Sequence, residues 1–146
     1  MAQPTYRLIR VEDIEEGTII FRIPVLIPDS TQTGLPADST GIKWTSNFRL
    51  RWDKRHLKAV RIRATWTATA TDSVTKIAVR DVTNGVDIVS VSGNTGTDAE
   101  AEATDLTNVT DGGLAEVYAE VTTASTTGGA TFDIAYVIVE LVIGVR

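Results

Sequence analysis

The chain reads as all-β: one antiparallel β-sandwich, jelly-roll-like, of about eight strands. Three observations predict it. Apolar and polar residues alternate with period two through most of the chain, while helical periodicity of useful length is nearly missing. Thr and Val recur in the alternating runs, and β-branched side chains suit a pleated, half-buried surface. Turn signals separate the runs at regular spacing, the clearest being Asn84-Gly85 between two alternating segments.

The elements follow in order. "YRLIRV" (6–11) alternates and is expected as a first strand, preceded by a short N-terminal arm, "MAQPT". "GTIIFRIPVLIP" (17–28) is a second, with Pro24 denying a ladder donor and pointing to an edge or a bulge. "PDSTQTGLPADSTG" (28–41) is expected as a long loop because it carries two prolines and two glycines. "IKWTSNFRLRW" (42–52) and "LKAVRIRATWTATAT" (57–71) are strands joined by the charged corner "DKRH". "TKIAVRDVT" (75–83) and "VDIVSVSG" (86–93) form the Asn-Gly hairpin. "AEAEATDL" (99–106) is ambiguous, since alternation favours a strand and Ala with Glu favours a helix. "LAEVYAEVTT" (114–123) and "ATFDIAYVIVELVIGV" (130–145) complete a single domain over 1–146.

Composition narrows the class. Cysteine is absent, so neither disulfides nor thiolate metal sites hold the fold. No apolar run approaches the ~20 residues of a membrane helix, and the N-terminus lacks a signal-peptide core, so no membrane partner and no secretion by that route are expected. Ten Arg against four Lys, one Met and six Asn plus Gln suit a thermostable protein.

Catalysis finds little support. His56, the one histidine, lies beside Lys54 and Arg55 on a charged corner, and nucleophilic schemes need a positioned base with partners. Glu100 with Glu102, and Glu116 with Glu120, share strand faces and do not oppose each other across a cleft, so they read as solvated. No enzyme activity, cofactor or metal ligand set is therefore predicted. Asp98, Glu100, Glu102 and Asp105 near a Gly-containing loop leave a structural Ca²⁺ open.

Charge is the most informative feature. Residues 43–80 carry ten Lys and Arg against two Asp, whereas residues 81–146 carry one Arg against eleven Asp and Glu. A basic groove with stacking aromatics is one reading. Strand parity argues against nucleic acid, because Arg49 and Arg51, like Arg61 and Arg63, face away from Phe48, Leu50, Trp52 and Trp66. Two readings remain: basic strands pair with acidic neighbours inside one sheet, or a basic face of one copy meets an acidic face of another. The second makes Arg49, Arg51, Lys54, Arg55, Arg61 and Arg63 interface residues. In the last strand both parities are apolar from Val137 onward, which suggests burial on both faces and makes Val139, Leu141 and Ile143 candidate apolar anchors.

Small size, absent cysteine, Thr/Val/Ala-rich strands, the "MAQPT" arm and the 28–41 loop together resemble the small β-sandwich proteins that decorate or complete capsids of phages and archaeal viruses. That resemblance implies a non-enzymatic virion surface subunit forming homo-oligomers (trimers or a lattice) and partnered by a major capsid protein. It would be cytoplasmic before assembly. A second resemblance, of "TTGGATFDIAYVIVEL" (126–141) to the closing strand of jelly-roll carbohydrate-binding modules, implies sugar stacking on Trp44, Tyr118 and Tyr136, with an extracellular setting for such a module.

Overall fold

The computed structural model describes residues 17–26, 31–94 and 98–144, with the side chains of all but 47–50. The expected strand at 6–11 and the N-terminal arm lie outside the described residues. Nine strands are described: β1 (Thr18–Leu26), β2 (Gln32–Pro36), β3 (Gly41–Arg51), β4 (Leu57–Ala68), β5 (Val74–Asp81), β6 (Val86–Gly93), β7 (Ala99–Ala103), β8 (Leu114–Thr123) and β9 (Thr131–Gly144). They form two antiparallel sheets, ordered β1-β9-β4-β7 and β3-β8-β5-β6, with β2 also paired to β9.

With β2 set aside, the pairing has one rule. The first described strand pairs with the last (β1 with β9), then β3 with β8, β4 with β7 and β5 with β6. The chain is thus a long antiparallel ribbon rolled over so that β9 also pairs with β4 and β8 with β5. This is the jelly roll, which packs two Greek keys into facing sheets.

Alternation within each strand supplies the core. Val60, Ile62, Ala64 and Trp66 of β4 face Ile77 and Val79 of β5 and Val117, Ala119 and Val121 of β8 across the two sheets. Two expectations are revised. The segment 28–41 is not loop throughout: Gln32, Leu35 and Pro36 pair with β9, and the Gly34 amide donates to Asp133 Oδ1 at 2.7 Å instead of to the ladder. The ambiguous segment at 99–106 resolves as β7, because its alternate Ala side chains pack partly buried on the core while Glu100 and Glu102 face out.

The two-faced apolarity of the last strand has a local cause. Thr65 pairs with Tyr136 and Trp66 with Ile134, so Ala135 is an extra residue, a β-bulge. It reverses parity, so Phe132 and Ile134 point inward before it and Val137, Val139 and Leu141 after it. β9 lies between β1 and β4, shielded by its own sheet. Val139 (3% exposed) and Leu141 (4%) are therefore core residues and not anchors for another copy, and Ile143 packs partly buried against the same core.

Candidate functional site

The basic segment is divided by the fold between two surroundings. On the outer face of the first sheet, Arg22 of β1, Glu140 of β9, Arg61 of β4 and Glu102 of β7 stand in one cross-strand row. Their charges alternate, and Arg22 pairs with Glu140 and Arg61 with Glu102. In the next row Arg63 reaches Asp98 at 2.6 Å. Asp98 also accepts from the Thr65 and Tyr136 hydroxyls. The Thr65 hydroxyl, then Tyr136 and Arg63, hold its carboxyl down at about 2. An open depression of about 560 Å³ on this face is lined by Arg22, Arg61, Arg63, Glu102 and Glu140 together with Glu100.

The outer face of the second sheet repeats the pattern. Lys76 pairs with Asp87 at 2.8 Å and Glu120 at 3.0 Å, and Arg80 with Glu116 at 3.3 Å. Burial works against the charge of Lys76, yet Asp87, Tyr118 and Glu120 outweigh it and raise its pKa. Glu116, expected on a solvated face, is instead 6% exposed. Tyr118 lies beneath Lys76 and Arg80, 5.2 and 4.7 Å from the two charges, and is 5% exposed. It is therefore closed to a sugar ring. Trp44 is partly buried against the core, and Tyr136 is tied to Asp98, so the three aromatics form no shared platform.

A different picture holds at the corner joining β3 to β4. Asp53 accepts from the Arg55 amide at 3.0 Å and its guanidinium at 2.7 Å, which holds the Asp53 carboxyl at about 2. The Gly144 amide donates to His56 O at 2.8 Å, and Gly112 to Trp52 O at 3.0 Å, fastening the corner to its neighbours. Lys54 Nζ donates to Thr107 O at 3.1 Å. Arg51, His56 and Lys58 are exposed here. Among the described side chains, Lys43, Arg51, Lys54 and Lys58 are the cations with no carboxylate in ion-pair reach, and the last three share this end of the sandwich. The Arg49 side chain lies outside the described residues, and its backbone stands opposite Glu116.

Acidic residues at the opposite end act as staples, Asp38 and Asp72 from loops and Asp133 from the start of β9. Asp38 accepts from the Gly129 amide at 2.8 Å, and Asp133 holds Gly34. Asp72 accepts from Ser125 Oγ (2.6 Å), Thr126 Oγ1 (2.7 Å) and the Thr126 amide (2.8 Å), which hold its carboxyl at about 2. These roles were missed from sequence, although Asp beside Ser or Gly in a turn is a signal for side-chain capture of backbone amides. In the acidic 94–105 segment, Asp98 and Glu102 are engaged by Arg63 and Arg61. Among the described residues no group of three carboxylates or histidines converges on a metal position.

The sequence readings thus separate. Arg61, Arg63 and Arg55 are neutralised within their own chain, so a basic strip offered by Arg61 and Arg63 to an acidic sibling face is corrected to an internal ladder. Among the described residues Arg51 and Lys54 have no carboxylate partner, and Lys58 joins them.

No family model and no curated protein matches the chain. Solved structures do. A chain in the structure of infectious bursal disease virus, Gx strain, is similar with a TM-score of 0.52 and 8% identity, over 87% of this chain and 32% of that one. VP2 in a subviral particle of infectious bursal disease virus gives 0.51 and 8% identity, over 88% and 33%. This chain spans about a third of the length of those viral chains. A sugar-binding C-terminal domain, EclA, matches at a TM-score of 0.37 and 10% identity over 82% of this chain and 76% of that one, a level at which no argument is drawn. At such identities the likeness is one of fold.

Proposed function

We propose that the chain is a non-enzymatic structural module, a jelly-roll subunit that associates with copies of itself in or on a virus particle. Jelly rolls recur in viral capsids and in lectin domains, and fold by itself does not choose between these. The likeness to the two viral chains supports the first, and the covering of Tyr118 by Lys76 and Arg80 counts against the second.

One observation carries the mode of association: among the described residues, charge left over after internal pairing is distributed along the strand axis. Among the described residues, Arg51, Lys54 and Lys58 at one end lack carboxylate partners and outweigh Asp105 and Asp111. At the other, Asp38, Asp72 and Asp133 have hydrogen bonds but no cation, and Lys43 donates to Ser39. Copies then meet end to end, the β3–β4 corner of one against the 37–40, 69–73 and 124–130 loops of the next. Such a heterologous contact closes into a ring or continues as an array, and charge complementarity sets its register more than its strength.

Complementary charge reversal tests this reading. Arg51→Glu with Lys58→Glu blocks one end, and Asp38→Lys blocks the other. Each variant alone is expected to stay monomeric, and an equimolar mixture to recover pairs through the unaltered ends. A mixture that behaves like its separate components, with both variants folded, contradicts it.

A further inference from the structure

Among the described residues, the interior holds two polar side-chain atoms, one from each sheet, that have no hydrogen-bond partner. Trp66 and Thr75 are each 1% exposed, and neither Trp66 Nε1 nor Thr75 Oγ1 has a hydrogen-bond partner. Trp66 comes from β4 in one sheet and Thr75 from β5 in the other. Gly93 connects them. It stands opposite Thr75 in the β5–β6 register, and cross-strand partners project on the same face. A Cβ at Gly93 would lie 3.5 Å from Cζ2 of Trp66, the ring carbon two bonds from the indole nitrogen. The indole N–H edge and the threonine hydroxyl therefore border one inter-sheet space beside a residue that contributes no side chain.

We propose that this space is a binding site for a single ordered water, which accepts from the Trp66 indole N–H and bonds the Thr75 hydroxyl. One water satisfies both groups. The indole is a donor only, whereas the hydroxyl both donates and accepts. Leaving either unsatisfied in the core forfeits its hydration without return. A buried water typically makes two to four bonds to polar groups of this kind. The bridged water is a polar tie between two sheets whose other contacts here are apolar. Trp52 Nε1 is also without a hydrogen-bond partner among the described residues, but no residue links it to a second such atom as Gly93 links Trp66 and Thr75.

A high-resolution crystal structure of the wild-type chain tests the assignment directly. The expected result is a water oxygen within ~2.7–3.2 Å of both Trp66 Nε1 and Thr75 Oγ1. A direct Nε1–Oγ1 hydrogen bond, or an empty space between them, overturns it. Solution NMR gives an independent arm. The Trp66 indole proton, assigned by its absence in Trp66→Phe, is expected to show cross-peaks to water of opposite sign in laboratory- and rotating-frame spectra, as a long-lived water requires. Thr75→Ser is expected to keep them and Thr75→Val to lose them. Absence of the cross-peaks from the wild type contradicts the proposal even if the Val variant does not fold.

Discussion

Arg61 of β4 and Glu102 of β7 stand directly opposite each other on the outer sheet face and form an ion pair, although 41 residues separate them in the chain. That relationship explains why an acidic protein gathers its cations into one stretch. β4 carries Arg61 and Arg63 against a neighbour rich in carboxylates, and the fold converts segregation along the chain into alternation across a sheet. The pair is about two-fifths exposed on both sides, so its strength is modest. Separate replacement of Arg61 by Ala and Glu102 by Gln, combined in a double-mutant cycle, is expected to give a coupling of about 0.2–1 kcal/mol. A coupling above that range would mean the outer face is covered.

Acid sensitivity follows from the stapling carboxylates. Asp53, Asp72 and Asp98 sit at about 2 in the folded chain, below their ordinary value of 3.8. A carboxyl depressed by folding contributes stability that is complete above its unfolded pKa and lost as pH falls through the folded one. Thermal midpoints are therefore expected to fall progressively as pH drops from about 5 to about 2. In Asp72→Asn the drop should be shallower and begin from a lower plateau.

Asp81 is the buried staple. It is 0% exposed and accepts from the amides of Asn84 (3.0 Å) and Thr110, joining the β5–β6 turn to the loop before β8. Burial raises its pKa, but those hydrogen bonds outweigh burial and hold it below the usual carboxylate range. Asp81→Ala leaves both amides without an acceptor and is expected to cost about 2–4 kcal/mol in denaturant unfolding. A loss below 1 kcal/mol would show that the amides find other acceptors.

Deleting Ala135 tests the bulge. Without it, the inward sets Phe132–Ile134 and Val137–Leu141 cannot both face the core. The deletion is expected to destabilise by at least about 3 kcal/mol, the cost of losing one buried Phe. Native-like circular dichroism and an unchanged melting point would contradict the parity argument.

How far the chain disclosed its own structure follows the same division. Strands announced themselves wherever one face is buried, because period-two alternation is what such burial demands. β2 was hidden, since "QTGLP" looks like a turn and its pairing depends on β9, far away in sequence, and on an Asp133 side chain taking the Gly34 amide. The Ala135 bulge was equally hidden, and without it a single-sided strand looked apolar on both faces. The cation cluster was legible, but its fate was not. Nothing along the chain says that β7 will lie beside β4, so Arg61 and Arg63 could not be told apart from Arg51 and Lys58, which have no carboxylate partner among the described residues.

Sedimentation velocity of the wild-type chain across protein concentration, in low and in high salt, bears most directly on self-association through opposite ends. The expected result is a concentration-dependent shift to larger species in low salt that disappears in high salt and in Arg51→Glu/Lys58→Glu. A single monomeric boundary at every concentration and salt level would contradict it.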